Sequence, residues 1–426
     1  MSSKPTSIRR SWRSRADNAR GQALVVALLM FVMLLPLTFA FVRYVTQAVR
    51  AATRERQQKA AGAMAGDVVA DYMRQFSQNA YSGHYDADSL SRPKTFYTAG
   101  YSTVTFTADE ANRTLWLKAE GGVGDPTAPT TRKRVEALVQ FSSDLVQYGT
   151  MVNGPFSISA SNLSYLGGLW SNGNLNVSGT NVRFNGGPVV VNGNVTGAAS
   201  VVIDGDLYYS GTSAGSVSVL GNRYNFIPAT TWPTLDFNYY DAHYTYKTTV
   251  SRTIVLNSTQ TFTVVGVGTY AIPASGAIIY GENCNLTVRG PVSGRVTVVA
   301  GGTVGSGTQG NITVSDNVYY AVGSSVAASA TASFGALARN RITFSKTSSN
   351  LTAVGVYFVE QGTNNMTLTG SAGTRFWLYG VRTQAISISP GTSFNSGIAL
   401  AYDANLRAYP PPGLPEKALL VNWKMN

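Results

Sequence analysis

Residues 21–42 carry no charge, consist mostly of Leu, Val, Ala, Met and Phe, and are bracketed by Arg20 and Arg43. At ~1.5 Å per residue this run reaches about 33 Å, enough for the hydrocarbon core of a bilayer. No polar face interrupts it, so it reads as a membrane-spanning helix, loosened at Pro36, which lacks an N–H donor. A cleaved secretory signal has a shorter apolar region ending in small residues. Leu37-Thr38-Phe39-Ala40-Phe41 is a poor context for that, and the residues after Arg9-Arg10 match a twin-arginine signal weakly. Further on, Met64, Val68, Val69, Tyr72, Met73 and Phe76 recur every three or four residues and share one helical face. A polar middle at 50–59 precedes them, Gly62 and Gly66 weaken the helix, and Gly83 lies past an end expected near Ala80.

The period then changes to two. Residues 103–107 and 114–119 read as strands joined by a turn at 109–113, and the loop 121–131 leads to a third strand at 132–141. From residue 150 a short grammar recurs: an Asn/Asp-Gly-Asn/Asp turn, an alternating strand, then Gly. Its copies are Ser171-Asn172-Gly173-Asn174 onward, Val191-Asn192-Gly193-Asn194 onward and Ile203-Asp204-Gly205-Asp206 onward. It returns at 285–290, 295–301, 311–320, 341–346, 365–370, 375–380 and 385–391. Such units bury their apolar edges only by stacking, which predicts a parallel β-helix; the uneven 20- and 12-residue spacing leaves a β-sandwich as the alternative. The fold class is therefore mainly β, with one long N-terminal transmembrane and stalk helix, a small antiparallel sheet, and an irregular right-handed parallel β-helix-like body. The units are a basic leader 1–21, the helix 22–80, a small β head 81–147, and a first solenoid segment 148–222. An aromatic insert with connecting strands follows at 223–275, then a second solenoid segment 276–426 whose Pro run and Trp423 serve as a cap. The insert either covers an open sheet edge or, through Trp232, Tyr239, Tyr240 and Tyr244, offers a platform for glycans or surfaces.

Composition narrows the chemistry. One Cys and two His (Cys284, His84, His243) exclude a disulfide framework and a zinc ribbon. Eleven of the 33 Lys and Arg, but only two of the 21 Asp and Glu, lie in residues 1–60, so +9 of the net charge of +12 belongs to the N-terminal segment and +3 to the rest. The nearly balanced β body is not expected to bind nucleic acid. Extracellular β-helices that cleave polysaccharides need clustered carboxylates, and Asp204 with Asp206 is the best pair. Asp-Gly-Asp is also ordinary turn chemistry, with Asn in the other copies. Cys284 reads as buried, neither His lies in a catalytic signature, and no phosphate loop, dinucleotide fingerprint or metal motif is present. No enzyme activity, cofactor or metal is expected; a membrane-tethered polysaccharide-processing enzyme and a static envelope scaffold are the rival readings.

Six basic residues precede the apolar run and five follow it within 17 residues, so the positive-inside rule barely favours a cytoplasmic N-terminus. Resemblance supplies more. The stretch Arg20-Gly21-Gln22-Ala23-Leu24-Val25-Val26-Ala27-Leu28-Leu29 resembles the start of type IV prepilin-like proteins, in particular PilX-like minor pilins. The resemblance implies that a prepilin peptidase cuts between Gly21 and Gln22 on the cytoplasmic face of the inner membrane and leaves a single-pass chain with its body periplasmic or extracellular. Other pilin-like subunits and pilus or secretion machinery would be its partners. Major pilins carry Glu at the fifth mature position; here that residue is Val26, which fits a minor or tip subunit, or a plain anchor. Residues 278–426 also resemble an uncharacterised bacterial domain found behind pilin-like anchors, through Gly290-Pro291-Val292-Ser293-Gly294-Arg295, Ser315-Asp316-Asn317-Val318-Tyr319-Tyr320, Gly335-Ala336-Leu337-Ala338-Arg339-Asn340, Tyr402-Asp403 and Pro410-Pro411-Pro412-Gly413-Leu414-Pro415.

Overall fold

A computed structural model describes residues 8–78, 95–97, 100–109, 113–159, 161–197, 200–213, 216–227, 232–321, 331–346, 350–361, 366–370, 376–382, 386–388 and 398–425. Gly83, His84, Ala80 and Pro228 lie outside them. One helix, α1, runs from Ile8 to Gln78 with Pro36 inside it. Its last third carries Ala61, Ala65, Val69, Tyr72 and Phe76 at intervals of four, four, three and four, and all five are buried. They pack on a sheet built from β1 (Thr95–Tyr97), β2 (Gly100–Asp109), β3 (Thr114–Val123) and β4 (Thr131–Ser142). The sheet alternates as its period predicts: Leu115, Leu117 and Ala119 face α1 while Trp116 faces out. Each large side chain so buried contributes about 1.5–3 kcal/mol. Gly121 brings β3 close to the helix backbone, since a Cβ there would lie 2.1 Å from the Ala61 carbonyl oxygen.

The fifth strand of this sheet comes from the far end of the chain. Residues Lys417–Met425 pair antiparallel with β4, Ala418 opposite Phe141 and Trp423 opposite Ala137. Trp423 therefore does not cap a coil. Its ring comes within 3.8 Å of where a Gly66 Cβ would stand, and Met425 Sδ within 3.4 Å of the corresponding point at Gly62. The two helix-weakening glycines make room for this strand. The Pro run lies elsewhere, against the solenoid flank: Pro410 accepts from Arg295, and Pro411 sits over Gly335.

The remaining body is a parallel β-solenoid, and its parallel ladders exclude the sandwich alternative. In the first segment three columns of strands stack. One is Thr150–Val152, Leu169–Ser171, Val189–Val191, Leu207–Tyr209 and Arg223–Tyr224. The second is Phe156–Ile158, Leu175–Val177 and Val195–Gly197. The third is Leu163–Leu166, Val182–Asn185, Val201–Ile203 and Val217–Val219. The step per coil is 16–20 residues, more regular than the turns imply. The reason is phase. Asn172 and Asn192 stack with Asn153 and Ser210 in one side-chain ladder. The Asp204-Gly205-Asp206 turn occupies the preceding corner, beside Gly187 and Pro188. It is thus not a third copy at the same place, and the 12-residue step crosses a corner, not a coil.

The second segment stacks in the same way. Ala277–Gly281, Arg295–Ala300, Ser333–Ala338, Leu351–Val359 and Phe376–Arg382 form one column. Arg252–Leu256, Leu286–Val292, Asn311–Tyr320, Arg341–Lys346, Met366–Gly370 and Ile386–Ile388 form another. An antiparallel hairpin at Thr261–Val264 and Gly268–Ala271 closes its free end with Phe262 fully buried. Arg382 pairs with Thr150, and Leu400 packs against the cores of both segments. The two segments are one continuous stack whose spatial order is residues 246–401, then 150–224. Residues 225–227 and 232–245, between the two segments in the sequence, lie along its flank.

Candidate functional site

The first candidate is the bare part of α1. From Leu24 to Val49 its large apolar side chains are exposed, Leu24 at 70% and Phe39 at 69%. A stretch of this length and hydropathy is long and apolar enough to cross a membrane. Thr38, Thr46 and Thr53 turn their hydroxyls back onto the carbonyls of Leu34, Val42 and Val49 at 2.7–2.8 Å; for Thr38, inside the apolar run, this satisfies the hydroxyl within the helix, as a lipid environment requires. Gly21 and Gln22 lie within the helix, and Gly is a weak helix former. Val26, the fifth residue from Gln22, is half exposed at 51% and has no acidic function to offer.

The second candidate, the pair Asp204 and Asp206, does not converge on a common point. Asp204 reaches back one coil and accepts from Arg183 Nε and Nη2 at 2.9 and 2.8 Å. Asp206 reaches forward and accepts the Asn222 backbone N–H at 2.8 Å. Both bind successive coils together. Among the described residues no three His, Cys, Asp or Glu side chains gather as a metal site would require.

The aromatic insert lies on the solenoid rather than projecting from it. Trp232 stacks between Trp170 and Phe358 and donates from Nε1 to the Glu360 carbonyl at 3.2 Å. Glu360 in turn accepts the Leu235 N–H and pairs with Arg339, whose guanidinium covers the Phe237 ring. A short helix, α2 (Phe237–His243), is capped by Asp236 and buries Tyr239 and Tyr240. Burial pushes the Tyr239 phenol up to about 12, and Tyr240 donates to the Gly413 carbonyl at 2.9 Å. Of the four aromatics offered as a surface platform, Tyr239 and Tyr240 are enclosed, Trp232 is half-buried, and Tyr244 alone is substantially exposed, at 47%. His243 stacks on Tyr239 and contacts its carbonyl oxygen.

The signal for this cladding was present in the chain. Leu169–Ser171, Val189–Val191 and Ala277–Gly281 are buried on both faces, and Val189–Val191 and residues 277–280 read as runs without a charged or strongly polar residue, whereas Leu175–Val177 and Phe156–Ile158 alternate. A strand apolar on both faces must be covered on both. The covering includes Trp232, Leu235 and Tyr240 of the insert and Leu406 and Leu414 from the chain's end.

Other buried polar groups serve the frame. A cavity of about 550 Å³ between head and solenoid is lined by Arg113, Phe141, Ser143, Tyr148, Pro188 and Arg407. Arg113 is ion-paired with Glu416, and Arg407 Nη2 donates to the Gln147 carbonyl at 2.7 Å. Burial, with Asp144 nearby, pushes the Tyr148 phenol up to about 12. Cys284 is buried and its thiol is pushed up to about 11 by that burial, with Glu282 adding to the shift. Tyr320 donates to Asp403 at 2.9 Å, and burial raises the Asp403 carboxyl above the ordinary carboxylate range.

No family model and no curated protein matches the chain. Among solved structures, the crystal structure of the competence-associated pilin ComZ from Thermus thermophilus is similar over 87% of this chain and 97% of that one, at 12% identity and a TM-score of 0.26.

Proposed function

We propose that the chain is a minor, type IV pilin-like cell-envelope subunit. Its leader is removed between Gly21 and Gln22 by a prepilin peptidase, its apolar helix holds it in the inner membrane or in a fibre, and its β-solenoid is displayed outside the cell membrane for a structural, assembly or adhesive role. One observation carries this reading: a single helix that is bare and apolar from Leu24 to Val49 and buried on a small antiparallel sheet over its last third. Basic residues and Gly21 stand just before the apolar run, where such a cut leaves the helix on the body. A non-catalytic solenoid is supported by the commitment of Asp204 and Asp206 to coil contacts. Shearing native cells and comparing the released fibres with the membrane fraction tests the fibre role. Recovery in the fibre fraction is the expected result; retention of all protein in the membrane, with unchanged surface fibres on deletion, favours the static scaffold.

A further inference from the structure

Just beyond the apolar run, residues 43–59 hold five basic side chains and one acid, and that acid, Glu55, is engaged by Lys59 at 2.7 Å. Lys and Arg next to a span normally gather on its cytoplasmic side, so on the proposed orientation this group stands on the unfavoured side and calls for a reason. At about 100° per residue, Arg43, Arg50 and Arg54 fall within an arc of roughly 40°, while Arg56 and Lys59 lie near the opposite face. Ala61, five turns beyond Arg43, shares the first face and is fully buried beneath the head sheet. The three arginines therefore stand on the side that the head overhangs. None of them takes part in an ion pair among the described residues, and all three are exposed.

Depth is set from both ends. Tyr44, 70% exposed, adjoins Arg43 at the end of the apolar run, where an amphipathic ring settles at headgroup level. The head begins near Gln57, whose side chain meets Thr131 at 3.4 Å. Arg43 to Gln57 is about 21 Å of uncovered helix, and a headgroup layer is roughly 5–8 Å thick. Arg43 lies in that layer, Arg50 reaches down to it by snorkelling, and Arg54 stands roughly a Debye length above it, about 8 Å.

We infer that Arg43 and Arg50, reinforced by Arg54, bind anionic phospholipid headgroups in the leaflet beneath the head. This rests on the anchor reading above. The contact would hold the subunit at fixed depth and rotation before any assembly step.

The test reconstitutes the full chain in phosphatidylcholine vesicles containing a minor fraction of spin-labelled phosphatidylglycerol and measures the motionally restricted lipid. The expected result is a preference for phosphatidylglycerol of about fivefold per engaged arginine, weakened by salt and not displaced by millimolar inorganic phosphate. Arg43→Gln/Arg50→Gln/Arg54→Gln should lower it several-fold, to the share that the basic leader on the opposite leaflet contributes, while Arg56→Gln/Lys59→Gln should leave it nearly as in the wild type. An unchanged preference in the triple variant, parity in the wild type, or displacement by free phosphate would overturn the proposal. So would loss of crosslinking between copies in the triple variant with lipid preference intact, which would assign the arginines to a subunit contact. A chain that enters neither neutral nor anionic vesicles overturns the anchor reading, and the proposal with it.

Discussion

Glu416→Gln is the most informative single substitution in the frame. Glu416 immediately precedes the returning strand, and its side chain is 1% exposed against a partner, Arg113, that is 10% exposed. Arg113 sits at the β2–β3 turn with φ of +53°, and its carbonyl accepts the Phe141 N–H at 3.0 Å, so one residue ties turn, β4 and C-terminal strand together. Removing the carboxylate leaves a guanidinium buried without its counter-charge, a loss of about 3–5 kcal/mol. The pairwise attraction at 4 Å with an effective dielectric of 20 is of the same order, about 4 kcal/mol. Glu416→Gln should therefore lower unfolding free energy by about 3–4 kcal/mol in denaturant titrations of the detergent-solubilised chain. Amides of residues 417–425 should lose hydrogen-exchange protection first. Arg113→Met/Glu416→Leu, which removes both charges, should recover most of the loss. A cost below about 1 kcal/mol for the single variant, or a double variant no better than it, would refute the view that this buried pair fastens the strand.

Three further outcomes follow from the same geometry. Cys284 should resist thiol reagents at pH 8, because its thiol is buried and pushed up to about 11, and should react in one phase on unfolding; rapid labelling of the native chain would contradict this. The Asp403 carboxyl is raised in the folded state, so its contribution favours the fold below the ordinary carboxylate range and is lost as pH rises through the folded value. Asp403→Asn, which still accepts from Tyr320, should flatten that part of the stability–pH profile in denaturant titrations between pH 4 and 7, and an unaltered slope would contradict it. Arg223 donates to the Val217 carbonyl and to Ser213 at the edge of the last coil, where strand Val217–Val219 ends its sheet. Arg223→Ala should uncover that edge and promote end-to-end association in sedimentation; a strictly unchanged monomer fraction would contradict it.

Much of the fold is legible where the signal is local. The spacing of Val69, Tyr72 and Phe76 sets the helix face, and the alternation in β3 and in 341–346 sets strand faces, because each depends on the residue's own period. What is not legible depends on partners far along the chain. Nothing in Trp423 specifies Ala137 as its neighbour, and nothing in Thr150 specifies Arg382, since either strand satisfies its backbone on any open edge. The phase of the Asp204 turn is hidden for a related reason: Asn-Gly and Asp-Gly mark corners without saying which corner. The burial of Tyr239 and Tyr240 was readable indirectly, from Val189–Val191 and Ala277–Gly281, which are apolar at positions a solvent-facing strand would make polar. The candidate cleavage site rests on residues 20–29, and its position at Gly21 follows from sequence pattern, not from any fold contact.

The mature N-terminus of the native protein decides whether the chain is processed as a prepilin. Intact-mass and N-terminal peptide analysis of the chain purified from its own cells should find Gln22 as the first residue, and Gly21→Leu should leave the precursor uncut. A native chain beginning at Met1, or beyond residue 40, would contradict the account.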